Sequence, residues 1–148
     1  MLINKLSSSV ASTNKIKAKV IAKADSAASD HYFRDKDRHV LGNVKSVTSR
    51  PIVLPNQTII TATSKGIIPI STELSPDGRT AKILPELKTA SLISVGKLCD
   101  DGCKVMFNEN MMIARKNNKT ILTGHRNERD GLYDIPIEKT YLQDDHYV

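Results

Sequence analysis

From Lys15 onward apolar and charged side chains alternate. Ile16, Ala18, Val20, Ala22 and Ala24 fall between Lys15, Lys17, Lys19 and Lys23, a period of two that predicts a strand with one wet face running straight into Asp25. Residues 4–14 (NKLSSSVASTN) are polar and serine-rich with no such period, and read as part of a flexible arm, 1–14. The polar stretch Asp30 to Asn43 reads as loop with a helical turn. The β pattern returns at Pro51 to Leu54 and at Thr58 to Thr63 and Ile67 to Thr72, two runs that flank Ser64-Lys65-Gly66. A three-residue connection ending in glycine predicts a hairpin. Pro69 in the second arm marks that arm as edge or projecting, because proline cannot donate to a ladder.

Ser75-Pro76-Asp77-Gly78 has proline and glycine where a type I turn prefers them, and Thr80 to Leu84 follows as a strand. Leu92 to Val95 predicts a short strand, and Gly96 to Gly102 a short helix closed by glycine. Three more strands follow at Lys104 to Asn108, Met111 to Lys116 and Thr120 to Gly124, with turns at Glu109-Asn110 and Asn117-Asn118. Lys139 to Val148 lacks a period and reads as linker or tail, which leaves 15–138 as the folded domain. Short strands at this spacing predict an all-β barrel or sandwich.

Composition narrows the picture. Fifteen Ile, nine Val and eleven Thr against six aromatic residues and no Trp give an aliphatic, strand-favouring core and exclude a coiled coil or helix bundle. At 148 residues the chain holds one core and not a bilobal enzyme. The net charge of +6 is unevenly spread: residues 1–23 hold five lysines and no acid, and the remainder is almost balanced, 17 basic against 16 acidic groups. Nucleic acid is therefore not an expected partner beyond weak contacts of the basic arm. No apolar run approaches the ~18 residues that span a bilayer, and Lys5 interrupts the apolar stretch of Met1 to Ser12, so no membrane contact and a cytoplasmic setting are expected. Cys99 and Cys103 have no nearby histidine to complete a metal set and read as structural thiols; neither metal nor cofactor is expected.

The candidate chemistry lies at Asp25-Ser26-Ala27-Ala28-Ser29, directly after the alternating strand. A carboxylate followed by a hydroxyl and two small residues puts an acid on a tight loop that a ligand backbone can approach closely. An ordinary Asx turn uses the same residues. The other Asp-Gly positions, Asp77, Asp101 and Asp130, do not follow an apolar strand. His31 reads as a solvated loop histidine, and Arg34 to Arg38 as a solvated charge run.

The order of the blocks that follow resembles the retropepsin domain of copia-type retrotransposon polyproteins, over roughly residues 19–137. The blocks are Asp25 to His31, then Leu54-Pro55-Asn56-Gln57, then Leu84-Pro85-Glu86-Leu87 leading to Leu92-Ile93-Ser94-Val95, then Lys97 to Gly102, Val105-Met106-Phe107 and Gly131-Leu132-Tyr133. The resemblance implies a retropepsin-like closed barrel or sandwich with a flap hairpin, one short helix and extra C-terminal strands. It also implies an aspartic endopeptidase that processes a Gag-Pol polyprotein, in the cytoplasm within virus-like particles. One motif supplies one carboxylate, and this chemistry needs two sharing a proton. A homodimer with two copies of Asp25 at its twofold axis is therefore expected. By the same resemblance, Ser26 would brace the loops across the axis and Thr61, Ala62, Thr63, Ser64, Lys65 and Gly66 would form the flap. Leu92 to Val95 would support the catalytic loop, and extended peptide segments would be the substrate. The chain departs from the family at Ala27, where the motif has glycine; an added Cβ could crowd substrate or loop, which keeps a non-catalytic dimer of the same fold as the alternative.

Overall fold

The computed structural model describes residues 15–54 and 56–142, so the 1–14 arm and residues 143–148 lie outside the described residues. Twelve strands occur in chain order: β1 (Lys15–Asp25), β2 (His31–Arg34), β3 (Gly42–Ser46), β4 (Ile52–Val53), β5 (Ile59–Ile60), β6 (Ser64–Ile67), β7 (Thr80–Leu84), β8 (Ser91–Ser94), β9 (Lys104–Phe107), β10 (Met111–Lys116), β11 (Lys119–Arg126) and β12 (Tyr133–Leu142). One α-helix, α1 (Val95–Asp100), and 3₁₀ helices at Asp35–Val40 and Asp77–Arg79 complete the described elements. The chain is all-β, as its β-branched composition predicts.

Ten strands form one mixed sheet in the order β3-β6-β7-β2-β8-β1-β12-β11-β10-β9; β4 and β5 pair separately. Among the described residues the ladder does not close: β3 and β9 stand at its two ends, so the expected closed barrel is not made by their pairing. Alternation along β1 works as the sequence predicts. Val20 and Ala22 are buried in the main core and Lys17 and Lys19 are exposed. That core also takes Phe33, Ile83, Ile93, Leu98, Met112 and Ile135 from β2, β7, β8, α1, β10 and β12. The Asn117-Asn118 turn joins β10 to β11 with both residues at positive φ, which asparagine tolerates, and Gly102 after α1 sits at φ 90°.

Three expectations fail. The stretch after Asp30 is not loop: His31–Arg34 is an interior strand, parallel to β7 and antiparallel to β8. Its first three residues are buried, so no alternation marks it. The predicted hairpin turn at Ser64-Lys65-Gly66 is itself strand β6, paired with β3 on one side and β7 on the other. Pro69 lies just beyond β6, outside the ladder. Finally, Lys139 to Leu142 are not linker, because β12 runs to Leu142 and pairs there with the start of β1, Lys15↔Leu142 through Ala18↔Lys139.

Candidate active site

Asp25 is the last residue of β1, and its backbone is fixed from both sides. β12 pairs with β1 antiparallel up to Lys23, and β8 pairs with it parallel from Ala22↔Ser91 to Asp25↔Ser94. The chain then turns sharply. The Asp25 carboxylate accepts the Ala27 N–H at 2.8 Å, an Asx turn that leaves Ser26 and Ala27 exposed. Ala27 is not among the described residues at positive φ, which are Asn43, Gln57, Asn117 and Asn118 besides two glycines. The loop therefore takes a Cβ at this position without backbone strain.

Behind the loop, the serine of the predicted supporting strand does the anchoring. Ser94 is fully buried; its hydroxyl donates to the Ala28 carbonyl at 2.7 Å and accepts the Lys97 N–H at 3.0 Å, capping α1. Leu92 and Ile93 lie in β8 as expected, while Val95 opens α1. At the far end of the loop the Ser29 hydroxyl meets the Tyr32 hydroxyl at 2.9 Å.

His31 is not a solvated loop residue. It is fully buried, with Nε2 at 2.9 Å from the Gly78 carbonyl and Nδ1 at 2.9 Å from the Ser94 N–H. A backbone N–H can only donate, so Nδ1 is unprotonated and Nε2 carries the hydrogen. Burial, reinforced by Lys97, lowers the imidazole pKa to about 4, against the opposing hydrogen bond to Gly78. Next to it Asp30 accepts from Lys97 and pairs with Lys82 at 3.1 Å. Burial pushes the Asp30 carboxyl up, but the lysines outweigh it and the net shift is downward.

Asp25 opens into a cleft of about 380 Å³ lined by Lys23, Ala24, Ser26, Thr89, Ala90 and Leu92, and by Asp130 and Leu132 from the β11–β12 loop. Lys23 is tied to Asp134 and to Asp130, the latter at 2.8 Å. Burial works against the lysine's charge, yet the two carboxylates raise its pKa overall. Leu132 is 48% exposed, an apolar side chain presented to solvent at the cleft. Nothing in the sequence signalled that this loop reaches Asp25; the β1–β12 pairing brings it there.

The expected projecting hairpin does not lie at Thr61 to Gly66. Thr61 to Gly66 do not project: the Ala62 N–H donates to the Ser49 hydroxyl, the Thr63 N–H donates to the Ile83 carbonyl, and Ser64 and Gly66 are buried in β6. The hairpin is instead β4–β5, with Ile52↔Ile60 and Val53↔Ile59 paired. The Leu54 N–H donates to the Thr58 carbonyl and the Gln57 N–H to the Leu54 carbonyl, with Gln57 at φ 66°. Ile60 is buried in a second apolar cluster with Tyr32, Ala62 and Leu84, against which Ala28 and Leu92 also pack. Val53 and Ile59 are 65% and 62% exposed. An apolar hairpin thus sits on the same cluster as the Asp25 loop.

Among the described residues no group of three His, Cys, Asp or Glu is placed to hold a metal ion, and no helix is long and apolar enough to cross a membrane. Comparison with protein-family models, curated proteins and solved structures finds nothing that matches this chain.

Proposed function

We propose that the chain is one half of a homodimeric aspartic endopeptidase with a retropepsin-like fold, acting on extended segments of a retroelement polyprotein. The observation that carries this reading is the placement of Asp25. Its carboxylate ends a core strand, and its loop is tied from behind by Ser94 while Asp25 and Ser26 line an open cleft and Ala27 is exposed. Such an acid is rigidly held yet accessible, which is what a positioned general base requires. In the dimer two such carboxylates share one proton. One takes a proton from water as that water attacks the scissile carbonyl, and the other donates a hydrogen bond to the carbonyl oxygen. The β4–β5 hairpin is the flap, and the substrate lies as a strand in the cleft beside Asp25, where Leu92 and Leu132 offer apolar surface.

Ala27 supports a second reading, a dimer of the same fold without activity. Its unstrained backbone removes one objection to catalysis, and crowding of a bound peptide is the objection left. Cleavage of a peptide library at about pH 5, with and without a hydroxyl-bearing transition-state inhibitor, separates the two readings. Inhibitor-sensitive cleavage that Asp25→Asn abolishes, by a species sedimenting as a dimer, is the expected result. A monomer that cleaves and keeps its activity as Asp25→Asn overturns the proposal. Cleavage by Ala27→Gly alone establishes the inactive dimer.

A further inference from the structure

The sheet gathers cations that the chain's near-neutral body hides. Lys45 of β3 lies directly opposite Lys65 of β6, and Lys65 directly opposite Lys82 of β7. Residues directly opposite in antiparallel strands share a face, with Cβ atoms about 4.5–5.5 Å apart. Their neighbours Ser64, Ala81 and Ile83 are buried toward the other side. The three lysine side chains therefore leave the sheet from one row across three strands, their Cβ atoms spanning about 10 Å at the usual strand spacing.

Counter-charge is scarce along this row. Among the described residues Lys45 and Lys65 are exposed and make no ion pair. Lys82 reaches Asp30, and that carboxylate is shared with Lys97. Like charges directly opposite each other destabilise a sheet. Lysine on an edge strand guards against unwanted pairing, which accounts for Lys45 on β3. It does not account for Lys65 or Lys82, because β6 and β7 are interior strands. Beside the row is a hollow of about 200 Å³ lined by Lys45, Lys65, Asn43, Gly66, Ile67 and Thr80, so the Asn43 amide adjoins two of the lysines.

We propose that Lys45, Lys65 and Lys82 form a binding ladder for the phosphodiester backbone of single-stranded nucleic acid. A regular row of flexible point charges matches a ligand with a charge at every repeat, and sets no demand on the shape of its side groups. An acidic peptide has such regularity only as a homopolymer, whereas every nucleotide of a strand carries a charge. Tyr32, opposite Lys82 on β2, is the aromatic residue that continues the row, and it is buried, so no base stacks there and binding is independent of sequence. The ladder stands on strand register alone and does not depend on the protease reading.

Fluorescence anisotropy of a labelled oligothymidylate, titrated with the full chain across a salt series, tests this. Three phosphates neutralised at about 0.7 each give a slope near −2 in log K against log salt, or roughly 15–20-fold weaker binding between 50 and 200 mM salt. Lys45→Gln with Lys65→Gln should bring the slope to about −0.7, while thermal melting does not fall, because a like-charge pair is removed. Lys17→Gln with Lys19→Gln removes the same charge from exposed positions on β1 and should leave the slope unchanged. Equal losses from both pairs would mean binding by net charge and overturn the ladder. Absence of oligonucleotide binding overturns it too, as does polyglutamate binding to wild type where the oligonucleotide does not bind.

Discussion

At His31 burial and hydrogen bonding impose one protonation state. The Nδ1 atom accepts the Ser94 N–H, so a proton added there would point at another proton, in a site with no solvent to relieve it. The charged groups facing it are Asp30 beside it, Lys97 on α1 and Asp77 on the 3₁₀ helix that carries Gly78. The folded-state pKa of about 4 lies below the ordinary value of 6.5. Between these values the unfolded chain binds the extra proton, so stability from the neutral imidazole is complete above 6.5 and is lost as pH falls toward 4. The full loss is about 3 kcal/mol, since each tenfold difference in proton affinity between the folded and unfolded chain is worth roughly 1.4 kcal/mol. Asp30 acts in a lower window: its carboxyl is depressed below 3.8, so its contribution is lost only as pH falls below that value. Urea unfolding at a series of pH values should show the stability of the wild type dropping between neutrality and about pH 4. His31→Gln, which keeps a donor and an acceptor but does not titrate, should flatten that drop. An equal drop in both proteins would place the pH dependence elsewhere. Ser94, held by the same imidazole, also holds the Ala28 carbonyl, so protonation of His31 loosens the support of the Asp25 loop.

Among the elements, β6 separates a packed strand from a projecting tip by a simple measurement. A Cβ on Gly66 would lie 2.9 Å from the Leu41 Cβ, 3.1 Å from the Val44 Cγ2 and 3.2 Å from the Gly42 carbonyl oxygen. Gly66→Ala should therefore destabilise the chain by about 1–3 kcal/mol, the usual cost of overpacking, read from its urea midpoint. A glycine at a flap tip would instead tolerate the methyl group with stability unchanged. The sequence points away from this strand for a physical reason. Ser-Lys-Gly is good turn chemistry, and a four-residue strand with small residues at Ser64 and Gly66 offers no apolar alternation to contradict it. β2 was illegible for the opposite reason, since His31, Tyr32 and Phe33 are all buried. Where one face is wet or the turn chemistry is specific, the sequence was enough: the alternation of β1, the Asn117-Asn118 turn and the limits of β7 all agree with it. At the site, the place of Asp25 at the end of an alternating strand was legible, and of the expected supporting run Leu92 to Val95 the structure pairs Leu92 to Ser94 with that strand's end, while Val95 opens α1. Lys23, Asp130 and Leu132 were not legible, because they meet through contacts between the two ends of the chain.

At the scale of the molecule, the longest of those contacts is the pairing of the first described strand with the last. β12 runs antiparallel to β1 from Lys23↔Asp134 to Lys15↔Leu142, so the strand that ends in Asp25 is held along its length by the end of the chain. Its final four pairs involve Lys139, Thr140, Tyr141 and Leu142. Cross-strand pairs contribute roughly 0.2–1 kcal/mol each, so removing these four should cost about 1–4 kcal/mol. Two truncations isolate the effect: one removes residues 143–148 and the other residues 139–148, and the difference in their unfolding midpoints reads the strand alone. The longer truncation should melt several degrees lower, and amide exchange should quicken along Lys15 to Ala18, whose partners it removes. Exchange at Ala22 to Asp25 should change least, because β8 holds that end of the strand independently. Identical melting of the two truncations would return residues 139–142 to the role of a linker. If exchange quickens uniformly along β1, the support of Asp25 by β8 is not separable from its support by β12, and the loop owes its position to both edges of the strand together.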